Sequence, residues 1–261
     1  MGILDNFKLD GEVAVVTGAG KGIGRAIAIA LAEAGADVAI ASRTQADLDA
    51  VAAEIEALGR RALPLATDAT DMAALQNLAD QTVAKMGKLS IWINNAGGIP
   101  DGSPRYLTRT SEEQFAAQID LNLKAVWMGA TIAAKAMSET GNDGHGSIIN
   151  ISSRSAFGPQ VKNGPYGASK AAVNSLTSTM SVELAPKIRV NAVAPGPVPT
   201  ENFNDCMGTE TDEQRKKLLD MIGIPLQRYG TPEDIAAAVV YMASPASSWV
   251  SGQCLYVTGG R

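Results

Sequence analysis

The sequence predicts an α/β fold: a parallel sheet with helices on both faces. Three observations carry this. Short apolar runs alternate with segments of helical period from one end of the chain to the other. The runs are apolar throughout rather than every second residue, as strands buried on both faces are. The first run also passes into the first helix through a glycine-rich turn, Thr17-Gly18-Ala19-Gly20-Lys21-Gly22-Ile23-Gly24. No linker, low-complexity tract or internal repeat interrupts the alternation, so residues 1–261 are expected to form one domain.

Taken in order, Glu12 to Thr17 reads as a buried strand. Ile23 to Ala34 reads as a helix whose apolar face is Ile23, Ala26, Ile27, Ala30, Leu31 and Ala34. Val38 to Ala41 is a strand, and Gln45 to Leu58 a helix ended by Gly59. Ala62 to Ala66 and Ile91 to Ile93 are strands flanking a helix from Asp71 to Met86. One long helix is expected from Ser111, where Ser111 and Gln114 have capping-box spacing. Ser147 to Ile151 is a strand, followed by an Ala-rich helix carrying Tyr166 and running to Leu184. Ile188 to Val193 is the next strand. Thr231-Pro232 starts another helix, with a Thr cap and Pro in the first turn, and Cys254 to Val257 closes the series. Two segments break the rhythm: the Gly/Pro loop Gly98 to Thr110, and Glu201 to Leu226, polar with a short helical patch. Each follows a strand at its carboxyl end, where open α/β sheets bind ligands.

Composition excludes several classes. The net charge is −5, with 46% hydrophobic and 19% charged residues and no basic block, which argues against a nucleic-acid partner. The first residues lack the charged and apolar regions of a signal peptide, and no apolar run reaches the ~20 residues of a membrane span. Cys206 and Cys254 share no metal or redox spacing, which suits reduced thiols in the cytoplasm. His145 is the only histidine and sits in a Gly-rich turn, so it is read as a loop residue and no metal site is expected.

The chemistry begins with Tyr166 and Lys170, which stand at i and i+4 on one helix face. A cation held near a phenol favours the phenolate, and such a tyrosine can trade a proton with an alcohol or ketone. In the glycine turn the spacing is G-x-x-x-G-x-G, from Gly18, Gly22 and Gly24, rather than G-x-G-x-x-G. These glycines let the backbone approach a pyrophosphate at a helix N-terminus. The second strand ends Ile40-Ala41-Ser42-Arg43 without the acid that would bind a ribose 2′-hydroxyl. Arg43, with Lys21 as a second cation, suits a 2′-phosphate instead, so the expected cofactor is NADP(H) in preference to NAD(H).

Over nearly its whole length the chain resembles the short-chain dehydrogenase/reductase family. The motifs are Thr17 to Gly24, Asn94-Asn95-Ala96-Gly97, Ser153, Tyr166-x-x-x-Lys170 and Pro195-Gly196. The resemblance implies one NADP-binding, Rossmann-type doubly wound domain over 1–261. It makes Tyr166 the catalytic acid/base and has Lys170 hold the nicotinamide ribose and lower the tyrosine pKa. Ser153, thirteen residues before Tyr166, would orient the substrate oxygen; Ser152 is adjacent, but the family spacing selects Ser153. Asn122 would hold a water behind the lysine for proton relay. Cofactor contacts are implied for Gly18, Lys21, Gly22, Ile23, Gly24, Ser42 and Arg43 in the phosphate and adenosine region. Asp68 and Ala69 would meet the adenine, and Asn95, Ala96 and Gly97 the ribose. Pro195, Gly196, Val198 and Thr200 would lie by the carboxamide.

The implied reaction is hydride transfer between a secondary alcohol or ketone and the nicotinamide. Ile99, Phe157, Val161, Phe203, Met207, Met221 and Ile222 are candidate walls of an apolar pocket suited to a steroid, a steroid fragment or an acyl chain. The C-terminal run from Ser244 to Gln253 resembles bacterial hydroxysteroid dehydrogenases of the family, and 3-oxoacyl-thioester reductases share the same motifs. A homotetramer is implied by the resemblance. A non-catalytic NADP-binding sensor or scaffold is the reading from a different class.

Overall fold

Seven parallel strands form one sheet in the order β3-β2-β1-β4-β5-β6-β7. In chain order they are β1 (Val13–Thr17), β2 (Asp37–Ser42), β3 (Ala62–Ala66), β4 (Ile91–Asn94), β5 (Gly146–Ile151), β6 (Ile188–Pro195) and β7 (Cys254–Val257). The computed structural model describes residues 2–100, 105–140, 146–201, 203–204 and 211–260. His145, Cys206 and Met207 lie outside them.

The strands are apolar because both faces are covered. Ala14, Val16, Ile93 and Ile149 point to one side, against α1 (Gly22–Glu33), α2 (Gln45–Ala57) and the helix begun by Pro232. Val13, Val15, Trp92 and Ile148 point to the other, against α3 (Met72–Met86), α5 (Ala125–Glu139) and α6 (Gly164–Glu183). Two separate cores thus sandwich one sheet, and adjacent strand residues feed opposite cores. The fold is the expected doubly wound, Rossmann-type α/β architecture.

Most helix ends follow the expected local chemistry. Asp71 caps α3 by accepting from the Ala73 and Ala74 amides, and Gly87 ends it at φ +92°. α4 (Glu112–Ile119) opens with the Ser111–Gln114 capping box. α7 (Asp212–Ile222) is the helical patch of the polar segment. α8 (Pro232–Ala243) has Thr231 as its cap and Pro232 in its first turn.

One expectation fails. The helix from Ser111 is not continuous: a π-helical turn, Asp120–Lys124, separates α4 from α5, and the Ala125 amide donates back to Asp120 O. The extra residue in this turn accompanies Asn122 turning inward, where its side chain bonds the β4–α4 loop.

The order of strands places a site. Chain direction across the sheet reverses between β1 and β4, and in such sheets ligands bind outside the carboxyl ends at that switch point.

Candidate active site

The glycine turn after β1 is held against the end of β4. Thr17 Oγ1 accepts from the Asn95 and Ala96 amides at 3.0 and 3.1 Å, and Asn95 Nδ2 donates to Thr17 O and Gly18 O at 2.9 and 3.1 Å. These contacts leave no room for side chains. A Cβ on Gly18, whose φ is +65°, would lie 2.9 Å from Ala96 Cα, and one on Gly24 would collide with Gly18 O and Asn95 Nδ2. Gly22, at φ +55°, approaches Thr200, whose Cγ2 would stand 3.0 Å from a Cβ there. The result is bare backbone at the N-terminus of α1, which opens at Gly22-Ile23.

Around this turn lie the other predicted contacts. Ser42 Oγ would be 3.0 Å from a Cβ on Gly20, and Arg43 beside it is exposed. The Asp68 carboxyl sits below its usual pKa because the Thr70 amide and hydroxyl bond it, with Arg43 adding a smaller effect. Ala69 faces a small crevice shared with Thr17, Asn94 and Ala96. Lys21 is shared between two carboxylates, Glu201 at 3.3 Å and Asp47 at 3.9 Å, which raise its pKa. On the far side, the Gly196 amide donates to Val257 O at 2.9 Å after Pro195 ends β6. Val198 is buried at 4% exposure against Gly230, so only its backbone can face a ligand.

The second half of the site is built by β5, α6 and the π-turn. Lys170 is 3% exposed and its Nζ donates to Ile151 O at 2.8 Å. Burial pushes its ammonium down to about 8. The same Nζ lies 5.7 Å from the centre of the Tyr166 ring, as the i, i+4 spacing requires. Asn122, wholly buried, meets Lys170 at Gly97: a Cβ there would be 2.9 Å from Asn122 Oδ1 and 3.2 Å from Lys170 Nζ.

The two adjacent serines part company. Ser152 is buried and donates to Lys170 O at 3.4 Å, whereas Ser153 is half-buried and begins the turn Arg154–Phe157. Its Oγ accepts from the Ser155 amide at 3.1 Å. Gly167 lets α6 approach that turn, since a Cβ there would sit 3.0 Å from Ser155 O.

Asn94 belongs to the motif that the sequence offered, but its partners Asn150 and Thr177 were missed. Buried Asn94 donates to Asn150, and Asn150 to Thr177 on α6, each at 2.9 Å. This chain ties β4 and β5 to the helix that carries Tyr166 and Lys170. Gln118, which accepts from Asn122 Nδ2 at 3.0 Å, was also missed. An Asn in a strand otherwise apolar is the one signal that could have found Asn150.

A cavity of about 180 Å³ opens between α4 and the start of α6, lined by Ile99, Ala117, Gln118, Asn163 and Pro165, with Arg105, Glu113 and Lys162 as charged wall residues; Tyr166 and Ser153 are not among its lining. Of the other expected pocket walls, Val161 and Met221 are 76% and 75% exposed, so they enclose nothing among the described residues. Phe157 packs against Tyr256 with ring centroids 4.1 Å apart and planes tilted by 42°, and Phe203 meets Tyr229 edge-on at 6.0 Å. Ile222 is half-buried at the end of α7.

Comparison with known proteins agrees with this geometry. A family model described as enoyl-(acyl carrier protein) reductase matches residues 18–261. An uncharacterized oxidoreductase of Mycobacterium tuberculosis is 44% identical over 260 residues, 99% of this chain and 95% of the relative. The 7alpha-hydroxysteroid dehydrogenase of Escherichia coli K12 is 38% identical over 98% of this chain and 96% of its own. The 3-oxoacyl-(acyl-carrier-protein) reductase of Thermotoga maritima is 35% identical over 97% and 98%. Among solved structures, a 7 alpha-hydroxysteroid dehydrogenase complexed with NADH and 7-oxo glycochenodeoxycholic acid superposes with a TM-score of 0.90 at 38% identity, covering 100% of this chain and 98% of that one. A short-chain type dehydrogenase/reductase of Mycobacterium marinum gives 0.87 at 38%, covering 99% and 98%. With its glycine turn, its Tyr166–Lys170 pair and full-length likeness to these enzymes, the chain belongs to the short-chain dehydrogenase/reductase family of oxidoreductases.

Proposed function

We propose that the protein interconverts a ketone and a secondary alcohol with NADP(H), using Tyr166 as acid/base. The observation that carries this is the buried Lys170 ammonium 5.7 Å from the centre of the Tyr166 ring, with the Asn122 carboxamide and Lys170 Nζ both lining the space at Gly97. A cation in that place stabilises the phenolate left when Tyr166 gives its proton to the substrate oxygen. Ser153, half-buried beside it, holds that oxygen. Asn122 and Lys170 return the proton to Tyr166 through water. The glycine turn fits a pyrophosphate, because its backbone is bare where any Cβ would collide. When bound, the dinucleotide supplies the hydride at its nicotinamide C4.

The 2′-phosphate reading rests on Arg43. It is exposed at the end of β2, while Lys21 is already shared between Glu201 and Asp47. NADH in the hydroxysteroid dehydrogenase structure is the competing possibility. The cavity at the start of α6 exposes mostly apolar surface, and with the similarity to that enzyme it favours a hydroxysteroid-like or steroid-fragment ketone. Similarity to the Thermotoga maritima reductase supports a second reading, a 3-oxoacyl thioester. We take the assembly as a cytoplasmic homotetramer. Exposed Val182 on α6 and Trp249, at 77% and 99% exposure, are apolar surface that a partner subunit would cover.

Turnover of a ketone panel with NADPH tests the proposal. The panel comprises 7-oxo glycochenodeoxycholic acid, steroid ring fragments, acetoacetyl-CoA and small diketones. NADPH oxidation confined to the polycyclic ketones is expected. Oxidation confined to the thioester would establish the second reading, and NADPH binding without any turnover would favour the sensor.

A further inference from the structure

Asn122 is wholly buried, so each polar atom of its carboxamide needs a partner. Oδ1 accepts from the Gly98 amide at 2.9 Å and Nδ2 donates to Gly98 O at 2.8 Å. Because both partners are main-chain atoms, the way round of the amide is settled. Nδ2 also reaches Gln118 O at 3.1 Å and Gln118 Oε1 at 3.0 Å. Any residue at position 118 would offer the main-chain oxygen, but an apolar one would offer no second acceptor.

Gln118 is itself 8% exposed, in the last turn of α4, and it lines the cavity at the start of α6. It therefore stands between that cavity and Asn122. The helix is least able to hold Asn122 at this point, because the π-turn interrupts its regular ladder. A small rotation of the Asn122 carboxamide would be felt at Gly97, where Oδ1 and Lys170 Nζ crowd the same point.

We propose that Gln118 is a positioning residue, clamping the Asn122 carboxamide so that Asn122 and Lys170 keep the arrangement on which proton return to Tyr166 depends. The inference rests on the roles given above to Asn122 and Lys170. Lys170 is well placed to report on it. Its neighbours are Ile151 O, the Asn122 carboxamide and the Tyr166 ring, and among the described residues burial, not a carboxylate, sets its ionisation.

The test uses the full chain with Gln118→Leu, Gln118→Glu and, as reference, Asn122→Ala. Melting temperature, kcat and KM on the most active ketone of the panel, and NADPH affinity by nucleotide fluorescence from about pH 6 to 10 would be measured. Gln118→Leu is expected to lower kcat about tenfold with KM within about twofold. Gln118→Glu keeps an acceptor and should restore most of kcat. Its charge should also move the basic limb of NADPH binding upward by stabilising the Lys170 ammonium. A Gln118→Leu protein that loses only melting temperature, while Asn122→Ala is inactive, would overturn the proposal. Should Gln118→Leu not fold, an unmoved basic limb in Gln118→Glu would overturn it equally. Full kcat in Asn122→Ala would instead bring down the underlying reading of Asn122, and the clamp with it.

Discussion

Lys170 is the residue on which the site turns, because its charge is kept where solvation is poorest. Its folded pKa, about 8, lies below the ordinary 10.5, so charging it opposes folding below about 8 and the penalty fades as pH rises toward 10.5. Lys170→Met should accordingly melt higher than the parent at pH 7, and the gap should narrow across that window; a gap independent of pH would contradict the burial argument. At the other end of the cofactor site, Arg43→Ala should weaken NADPH binding by about 10- to 100-fold, the worth of a charge-assisted hydrogen bond, and leave NADH nearly unchanged. Equal losses, read by fluorescence titration, would remove the 2′-phosphate reading. Much at this scale was legible in the sequence. The family resemblance selected Ser153 over Ser152, and in the structure Ser152 is turned inward onto Lys170 O. Gln118 was illegible because an amide in a helix reads as surface until its partner, four residues on, is known to be buried.

Among the elements, the strands were legible nearly to their ends because each is mostly apolar, with only single polar residues such as Asn150 and Asn191 inside them. β3 and β7 match at both boundaries. The π-turn was not, because helical periodicity cannot reveal an inserted residue whose cause is a contact with Gly98 on another element. The capped start of α8 was legible and also yields a prediction. Arg228 grips Asp234 with bonds of 2.6 and 3.0 Å, and this pairing holds the Asp234 carboxyl at about 2 rather than 3.8. The stabilisation is present above pH 3.8 and is lost as pH falls through about 2. Asp234→Asn should therefore lower melting temperature at neutral pH, and the difference should shrink as pH falls from 3.8 through about 2. A difference that persists in acid would assign the loss to the cap hydrogen bond from the Thr231 amide to the Asp234 carboxyl rather than to the ion pair.

Across the whole molecule, one sheet separates two cores and brings the carboxyl ends of its seven parallel strands to a single edge. Ile27 belongs to one core and Ile132 to the other, and both are buried. Ile27→Val and Ile132→Val should each cost about 0.5–1.5 kcal/mol, and in denaturant unfolding the double variant should equal their sum within ~0.5 kcal/mol. A marked departure would mean that the sheet transmits strain between its faces. The strand order was not legible from periodicity, which says that strands are buried but not which lie side by side; it is a finding of the structure. That order is what sets the glycine turn opposite Tyr166, and it makes catalysis a property of the assembled sheet. The most direct measurement is NADPH oxidation with the ketone panel, run on the parent protein and on Tyr166→Phe. The account predicts turnover by the parent and a loss of about 10²- to 10⁴-fold in kcat for the variant, with NADPH binding unchanged. Equal turnover by the two proteins would contradict it.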